Sequence, residues 1–221
     1  MVQKFTILFD LDGTLIDTAP DLILAHNHVM KKFGYPTKTI DVLKNAVGKG
    51  AKAMMAKYNG KWEWIDEKIK NEMTAEFLSF YGKNILREST LINGVENFLI
   101  WCKKENISMA VCTNKTEYLA IDLLKKIGIY DYFEYVAGYN TFEYCKPDPR
   151  HLTTIIEILD GDKKKSIMIG DSESDANAAK AAEIPMILLK YGYTEKRSNE
   201  IYHNHLVKDF AGIEKIVSEY L

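Results

Sequence analysis

Hydrophobic and polar positions change their period along this chain, from a strand-like run, through a long helical stretch, to a regular alternation. Phe5-Thr6-Ile7-Leu8-Phe9 is a continuous β-prone run that stops at Asp10, the pattern of a buried strand. Leu22, Ala25, Val29 and Phe33 then recur at helical spacing. Thr18 is placed to cap that helix, Pro20 fits its first turn, Asp21 stands three residues after the cap, and Gly34 ends the pattern. Residues 35 to 88 predict more helix and no strand. Thr39 caps a segment running to Val47, Gly48-Lys49-Gly50 breaks it, and residues 51–58 resume it. Ile65, Ile69, Met73, Phe77 and Phe80 make a long apolar stripe, read as the core of a small helical bundle.

From residue 89 short apolar runs alternate with helical patterns. Strands are expected at 107–113, 135–138, 166–170 and 186–190, with a last one near Leu206. Helices are expected from Val95 to Cys102, at 116–127 with Gly128 as its stop, at 149–159, at 175–182, and over Phe210, Ile213, Val217 and Tyr220. Such alternation means a parallel sheet covered on both faces, with right-handed crossovers. The expected fold class is α/β: a doubly wound, Rossmann-like parallel-sheet core with an inserted small all-helical domain. The core is discontinuous, 1–16 and 89–221, and the helical block at 17–88 interrupts it just after the first strand.

Composition narrows the function without naming it. The 221 residues are 47% hydrophobic and 27% charged, enough for a sizeable core. A net charge of -2 and a pI near 6.2 give no basic field for nucleic acid. No leader peptide is expected and no apolar run reaches membrane-spanning length. Cys102, Cys112 and Cys145 form no C-x-x-C pair, so neither a disulfide framework nor a zinc site is expected, and a reduced, cytoplasmic setting fits. Cys145 beside Lys146 is read as a plain small residue. The helical block holds 12 Lys and Arg against 9 Asp and Glu, while the remainder is acidic. A basic insert over an acidic site suits an anionic substrate.

The chemistry concentrates at strand ends. Asp10 and Asp12 are two apart, and residues i and i+2 of an extended chain point to one side. The carboxyl end of a parallel strand opens on the crevice where α/β sheets bind ligands. Two carboxylates there repel unless a cation joins them or one holds a proton. Later strand segments end at Thr113-Asn114, in the loop carrying Lys146-Pro147, and at Gly170-Asp171 with Asp175 following. Each alone reads as a turn, a cap or a surface loop. In a parallel sheet all of them share the edge that holds Asp10 and Asp12. Together they fit phosphoryl transfer. Asp10, Asp171 and Asp175 offer the hard oxygens that Mg2+ favours. Lys146 can neutralise phosphate oxygens, and Thr113 and Asn114 can donate to them. One carboxylate can act as covalent nucleophile, while its neighbour protonates the leaving alkoxide and later deprotonates water.

With Asp10-Leu11-Asp12-Gly13-Thr14, Thr113-Asn114, Lys146-Pro147, and Gly170-Asp171 with Asp175 in this order, the chain resembles the haloacid dehalogenase-like phosphatases over nearly its whole length. The resemblance implies Asp10 as nucleophile, Asp12 as general acid/base and Lys146 as a further catalytic residue. It implies Mg2+ held by the side chains of Asp10 and Asp171 and the backbone carbonyl of Asp12, with Asp175 orienting metal waters or Lys146. Gly13, Thr14, Thr113 and Asn114 would contact substrate, and the block at 17–88 would be a mobile helical cap that excludes water and favours small substrates. Asp17-Thr18-Ala19-Pro20-Asp21-Leu22, Val47-Gly48-Lys49-Gly50-Ala51 and Tyr191-Gly192-Tyr193 are similar to the phosphoglycolate phosphatase branch. That branch usually reads Gly-Asn-Gly in the cap loop, with an arginine shortly before it, where this chain has Lys49 and Lys44. A lysine offers a point charge in place of the arginine fork. Lys44 and Lys49 are the candidate cap contacts to substrate, against a plain inter-helix turn. Ala182-Glu183-Ile184 also replaces the usual Ala-Gly.

The expected activity is Mg2+-dependent hydrolysis of a small anionic phosphate ester, 2-phosphoglycolate first, through an aspartyl-phosphate. The enzyme would be a monomer or homodimer with no nucleic-acid or membrane partner. A sugar phosphomutase is a rival, and would need a cap that admits a second phosphate and suppresses hydrolysis. A pyrophosphatase or nucleotidase is another. A receiver-type signalling domain also joins acids, Thr and Lys around Mg2+, but its phosphorylated Asp lies on a middle strand and it has no helical insert. A catalytically dead binding protein would lack Asp10 or Asp12, and both are present.

Overall fold

Thr6–Phe9 (β1) is the strand on which the molecule is built, and all four of its side chains are buried. The computed structural model describes residues 4–43, 46–48, 50–58 and 62–221. After β1 the chain turns through residues 11–16 into a two-residue strand, Ile16–Asp17 (β2), and enters the helix Ala19–Lys32 (α1). The α-helices Ile40–Leu43 (α2), Ala51–Tyr58 (α3) and Glu67–Lys83 (α4) follow among the described residues. The chain returns through Thr90–Leu91 (β3), which pairs antiparallel with β2. Then come Val95–Lys104 (α5), Ser108–Cys112 (β4), Glu117–Ile127 (α6), Tyr135–Ala137 (β5), Arg150–Ile158 (α7), Ser166–Gly170 (β6), Glu173–Ala182 (α8), Met186–Leu189 (β7), His205–Val207 (β8) and Ile213–Ser218 (α9).

Six strands form one parallel sheet in the order β5-β4-β1-β6-β7-β8. β1 is flanked in register by β4 and β6, Thr6 opposite both Ser108 and Ser166. Alternate side chains feed two separate apolar layers. Ile7, Phe9, Met109, Val111, Ile167 and Ile169 pack with residues of α5, α6 and α9, while Leu8, Ala110, Cys112 and Met168 pack with α7 and α8. Both faces are therefore covered, as a parallel sheet requires. β1 is central because the chain crosses over first to one side of it, through β4 and β5, and then to the other. This leaves the carboxyl ends of β1, β4 and β6 adjacent at the switch point where open α/β sheets bind ligands.

The helical segment differs from expectation in three details. Of the segment expected from Thr39 to Val47, the described residues show α2, a 3-10 position at Ala46 and a turn at Val47–Gly48. The apolar stripe of α4 drifts by one position: Met73, Phe77 and Tyr81 are buried, Phe80 is half-buried and Ile69 is exposed. A 3.6-residue period carries the buried face from 77 to 81, not to 80. Phe80 instead stacks on His28 of α1, ring centroids 3.9 Å apart. Finally, Thr18 holds the cap position of α1 without a side-chain capping bond, and Asp21 does not close a capping box. The fully buried Asp21 carboxylate accepts from the backbone N–H groups of Arg87, Glu88 and Ser89 and from the Ser89 hydroxyl at 2.6 Å. It ties the start of the helical segment to its end.

Candidate active site

The end of β1 delivers Asp10 and Asp12 to the floor of a cavity of about 740 Å³. Beyond them the chain reverses sharply, with the N–H groups of Thr14, Leu15 and Ile16 all directed at the Leu11 carbonyl. Gly13 makes the reversal possible. Its φ is +87°, and a Cβ there would meet Asp171 Oδ2 at 2.5 Å. Thr14 is fully buried and donates its hydroxyl to Asp171 Oδ1 at 2.9 Å, so it faces the carboxylate cluster from within the protein.

Lys146 reaches the cluster from the loop after β5. Its Nζ lies 2.8 Å from Asp10 Oδ1 and 2.6 Å from Asp175 Oδ1, and the side chain is 1% exposed. The other Asp175 oxygen accepts from the N–H groups of Asp171 and Ser172 and from the Ser172 hydroxyl, closing a capping box at the start of α8. Asp175 is thereby fixed, and it fixes Lys146. Asp171, at the end of β6, accepts from the Tyr193 backbone N–H at 2.6 Å as well as from Thr14.

These groups form an electrostatic unit. Oxygens of Asp10, Asp171 and Asp175 all lie within 4.8 Å of one another. Burial pushes the Asp10 carboxyl up to about 6, against the pull of the Lys146 ammonium and helped by the charges of Asp175 and Asp12. Burial, then the charges of Asp10 and Asp175, raise Asp171 well above the usual carboxylate range. Lys146 is raised too, because Asp10 and Asp175 outweigh its desolvation. Ionised together, the three carboxylates outweigh the one ammonium. Three hard, buried oxygens in that state fit a divalent cation such as Mg2+.

Thr113 and Asn114 line the cavity at the end of β4. The Thr113 hydroxyl accepts from the Lys115 N–H at 3.2 Å, and Asn114 donates its amide to the Lys146 carbonyl at 2.9 Å. Lys44 and Lys49, expected at the substrate, lie outside the described residues. Sequence reasoning missed Lys115. Its Nζ pairs with both oxygens of Asp12, at 2.9 and 3.1 Å, and lies 4.5 Å from the centre of the Tyr81 ring. Its place directly after Thr113-Asn114 was the available signal. Tyr193, in the stretch Tyr191-Gly192-Tyr193, has a role its neighbours do not announce: its hydroxyl donates to Asp17 and accepts from the Ala19 N–H at 3.0 Å.

The sequence profile of the haloacid dehalogenase-like hydrolases matches residues 7–189. The chain belongs to that family. It is an enzyme of the hydrolase class, and the match runs from β1 through β7, so it takes in every strand end that carries a cluster residue. The phosphoglycolate phosphatase of Agrobacterium fabrum is 38% identical over 218 residues, covering 96% of this chain and 94% of the relative. That of Mesorhizobium japonicum is 34% identical, covering 97% and 95%. The crystal structure of a predicted phosphoglycolate phosphatase from Haemophilus somnus matches with a TM-score of 0.91 at 28% identity, over 98% of this chain and 99% of its own. The β-phosphoglucomutase of Clostridium difficile matches with a TM-score of 0.81 over 98% of this chain and 97% of its own, but at 22% identity the likeness is one of fold alone. No helix among the described residues of this hydrolase is long and apolar enough to cross a membrane.

Proposed function

We propose that this hydrolase cleaves a small anionic phosphate monoester, with 2-phosphoglycolate as first candidate, through an aspartyl-phosphate on Asp10. The observation that carries the reading is the Lys146 bridge between Asp10 and Asp175 beside Asp171, at the mouth of the three central strands. The names of the 32–38% identical relatives support the substrate.

An Asp10 carboxylate oxygen attacks phosphorus as the ester P–O bond breaks. Asp12 gives its proton to the leaving alkoxide, then takes one from the water that cleaves the aspartyl-phosphate and releases inorganic phosphate. Lys146 neutralises phosphate oxygens while holding Asp10 in place, and Asp175 orients Lys146. The Thr113 hydroxyl, already accepting from Lys115, donates its hydrogen to the phosphoryl group. Mg2+ would be held by the Asp10 and Asp171 side chains with the Asp12 carbonyl, and would supply charge neutralisation of the phosphoryl oxygens. The block at 17–88 acts as the cap over this edge, with Lys44 and Lys49 offering charge to the substrate. If Lys49→Ala leaves every substrate equally well hydrolysed, that part of the reading is wrong.

The test is phosphate release with Mg2+ from 2-phosphoglycolate, hexose phosphates, nucleoside monophosphates and pyrophosphate, with Asp10→Asn as blank. The expected result is a clear preference for 2-phosphoglycolate and near-complete loss in a folded Asp10→Asn protein. Retained activity in that variant would sink the covalent mechanism. Flat, weak hydrolysis across the panel would remove the substrate.

A further inference from the structure

Among the described residues, two lysine ammonium groups are buried in the cavity wall, and they have different company. Lys146 is committed to Asp10 and Asp175. Lys115 faces Asp12, with 5% of its side chain exposed, and the Tyr81 ring lies against its other side. A buried ammonium is costly unless it is paired, and an aromatic face adds a weaker attraction. The Tyr81 hydroxyl is buried with no hydrogen-bond partner among the described residues, so what Tyr81 brings to this corner is its ring face. Lys115 comes from the end of β4 and Tyr81 from α4, so the sheet supplies the charge and the helical segment holds it in place.

Asp12 is the acid/base of the proposed reaction, so the ester oxygen must come within hydrogen-bond distance of it. In a phosphate ester of a 2-hydroxy acid, the carboxylate is two bonds from that oxygen. A cation already in contact with Asp12 is then within reach of this carboxylate without any backbone movement. An ester with no such carboxylate leaves Lys115 with Asp12 alone. We infer that Lys115 is a specificity residue that binds the α-carboxylate of the substrate, selecting phosphate esters of 2-hydroxy acids. This rests on the phosphatase reading and deepens it: recognition of the acid lies on the sheet side of the cavity, beside the acid/base, with Tyr81 as its positioning residue.

The experiment measures kcat and KM for 2-phosphoglycolate, the phosphate ester of 3-hydroxypropionate, and ethyl phosphate. The proteins are wild type, Lys115→Met, Lys115→Arg and Tyr81→Leu, each checked for fold by circular dichroism. Wild type prefers 2-phosphoglycolate over both other esters. Lys115→Met raises KM for 2-phosphoglycolate about 10- to 100-fold, the worth of one hydrogen bond to a charged group, and the kcat/KM ratio over ethyl phosphate falls with it. Lys115→Arg restores part of the ratio, since a guanidinium also pairs with a carboxylate. Tyr81→Leu lowers the ratio about threefold and serves as the test if Lys115→Met fails to fold. A ratio unchanged in these variants, with both substrates losing equally, shows that Lys115 serves Asp12 only and overturns the inference. So does a wild type that hydrolyses ethyl phosphate as well as 2-phosphoglycolate. A wild type that hydrolyses no phosphate ester overturns the phosphatase reading, and the inference with it.

Discussion

Tyr193 and Asp171 are joined at the backbone, N–H to Oδ2 at 2.6 Å, while the Tyr193 hydroxyl is bound to the far side of the site at Asp17 and Ala19. One residue thus connects a carboxylate of the cluster to the point where the chain enters α1. Tyr193→Phe removes the hydroxyl and leaves the Asp171 contact, because that contact is made by the main chain. It leaves the buried Ala19 N–H without its acceptor. The expected cost is about 1–3 kcal/mol, the range for one unsatisfied buried group. Urea denaturation reads it as a lower midpoint with an unchanged slope. A midpoint equal to wild type would show that the hydroxyl carries no stability.

Gly192 precedes this contact, and its Cα lies against Asp171. A Cβ at Gly192 would fall 2.2 Å from Asp171 Cβ and 2.3 Å from its Oδ2. No side chain fits there without displacing the carboxylate or the Tyr193 N–H. Gly192→Ala is therefore expected to disorganise the acidic cluster itself. The measurement is thermal melting with and without Mg2+. A bound cation stabilises the folded state by mass action, so wild-type Tm rises with Mg2+. In Gly192→Ala the rise is expected to shrink by half or more, and a full-sized rise would count against the assignment of Asp171 to the metal.

Most of this architecture was legible in the sequence because its signals are local. The apolar runs of β1, β4 and β6 end at Asp10, Cys112 and Gly170, as their composition says they should. Gly128 ends α6 in a left-handed conformation. What escaped notice was non-local. β2 and β3 are two residues each, too short to show alternation, and they exist only because the chain leaves and re-enters the core side by side. Asp21 looked like a capping residue because its partners, 66 to 68 positions away, leave no mark on its neighbours. Nothing in the residues next to Lys115 marks it as buried. Its burial comes from Tyr81 and Asp12 closing over it, a contact across 103 residues in the case of Asp12.

Glu183 shows a departure from the family pattern with a physical consequence. It caps α8 at φ +58°, a left-handed conformation that suits the glycine usual at this place and strains a residue bearing a Cβ. Its side chain pairs with Lys163 at 2.8 Å, but the glutamate is 80% exposed there and such pairs contribute little. Relief of the backbone should outweigh loss of the pair. Glu183→Gly is expected to raise Tm by about 2–4 °C, and a differential scan of the two proteins decides it. A lower Tm would mean that the Lys163 pair matters more than the left-handed backbone.

His151 is buried beneath the Lys146 loop, and the Lys146 backbone N–H donates to its Nδ1 at 3.2 Å. That acceptor role requires a neutral ring. Burial, and then the Lys146 ammonium, lower its pKa to about 4 from an ordinary 6.5. The folded protein therefore resists protonation of this residue and the unfolded chain does not. Its contribution is fully present above pH 6.5, falls as pH drops from there, and is gone by about pH 4, where both states carry the proton. The whole change amounts to about 3 kcal/mol as an upper value. Other groups titrate in the same window, Asp10 among them, so the prediction is placed on a difference. Urea unfolding of wild type and His151→Gln at pH 7, 6, 5 and 4 should show the advantage of the wild type shrinking at each step. An advantage that stays constant with pH would show that the ring does not titrate differently in the two states.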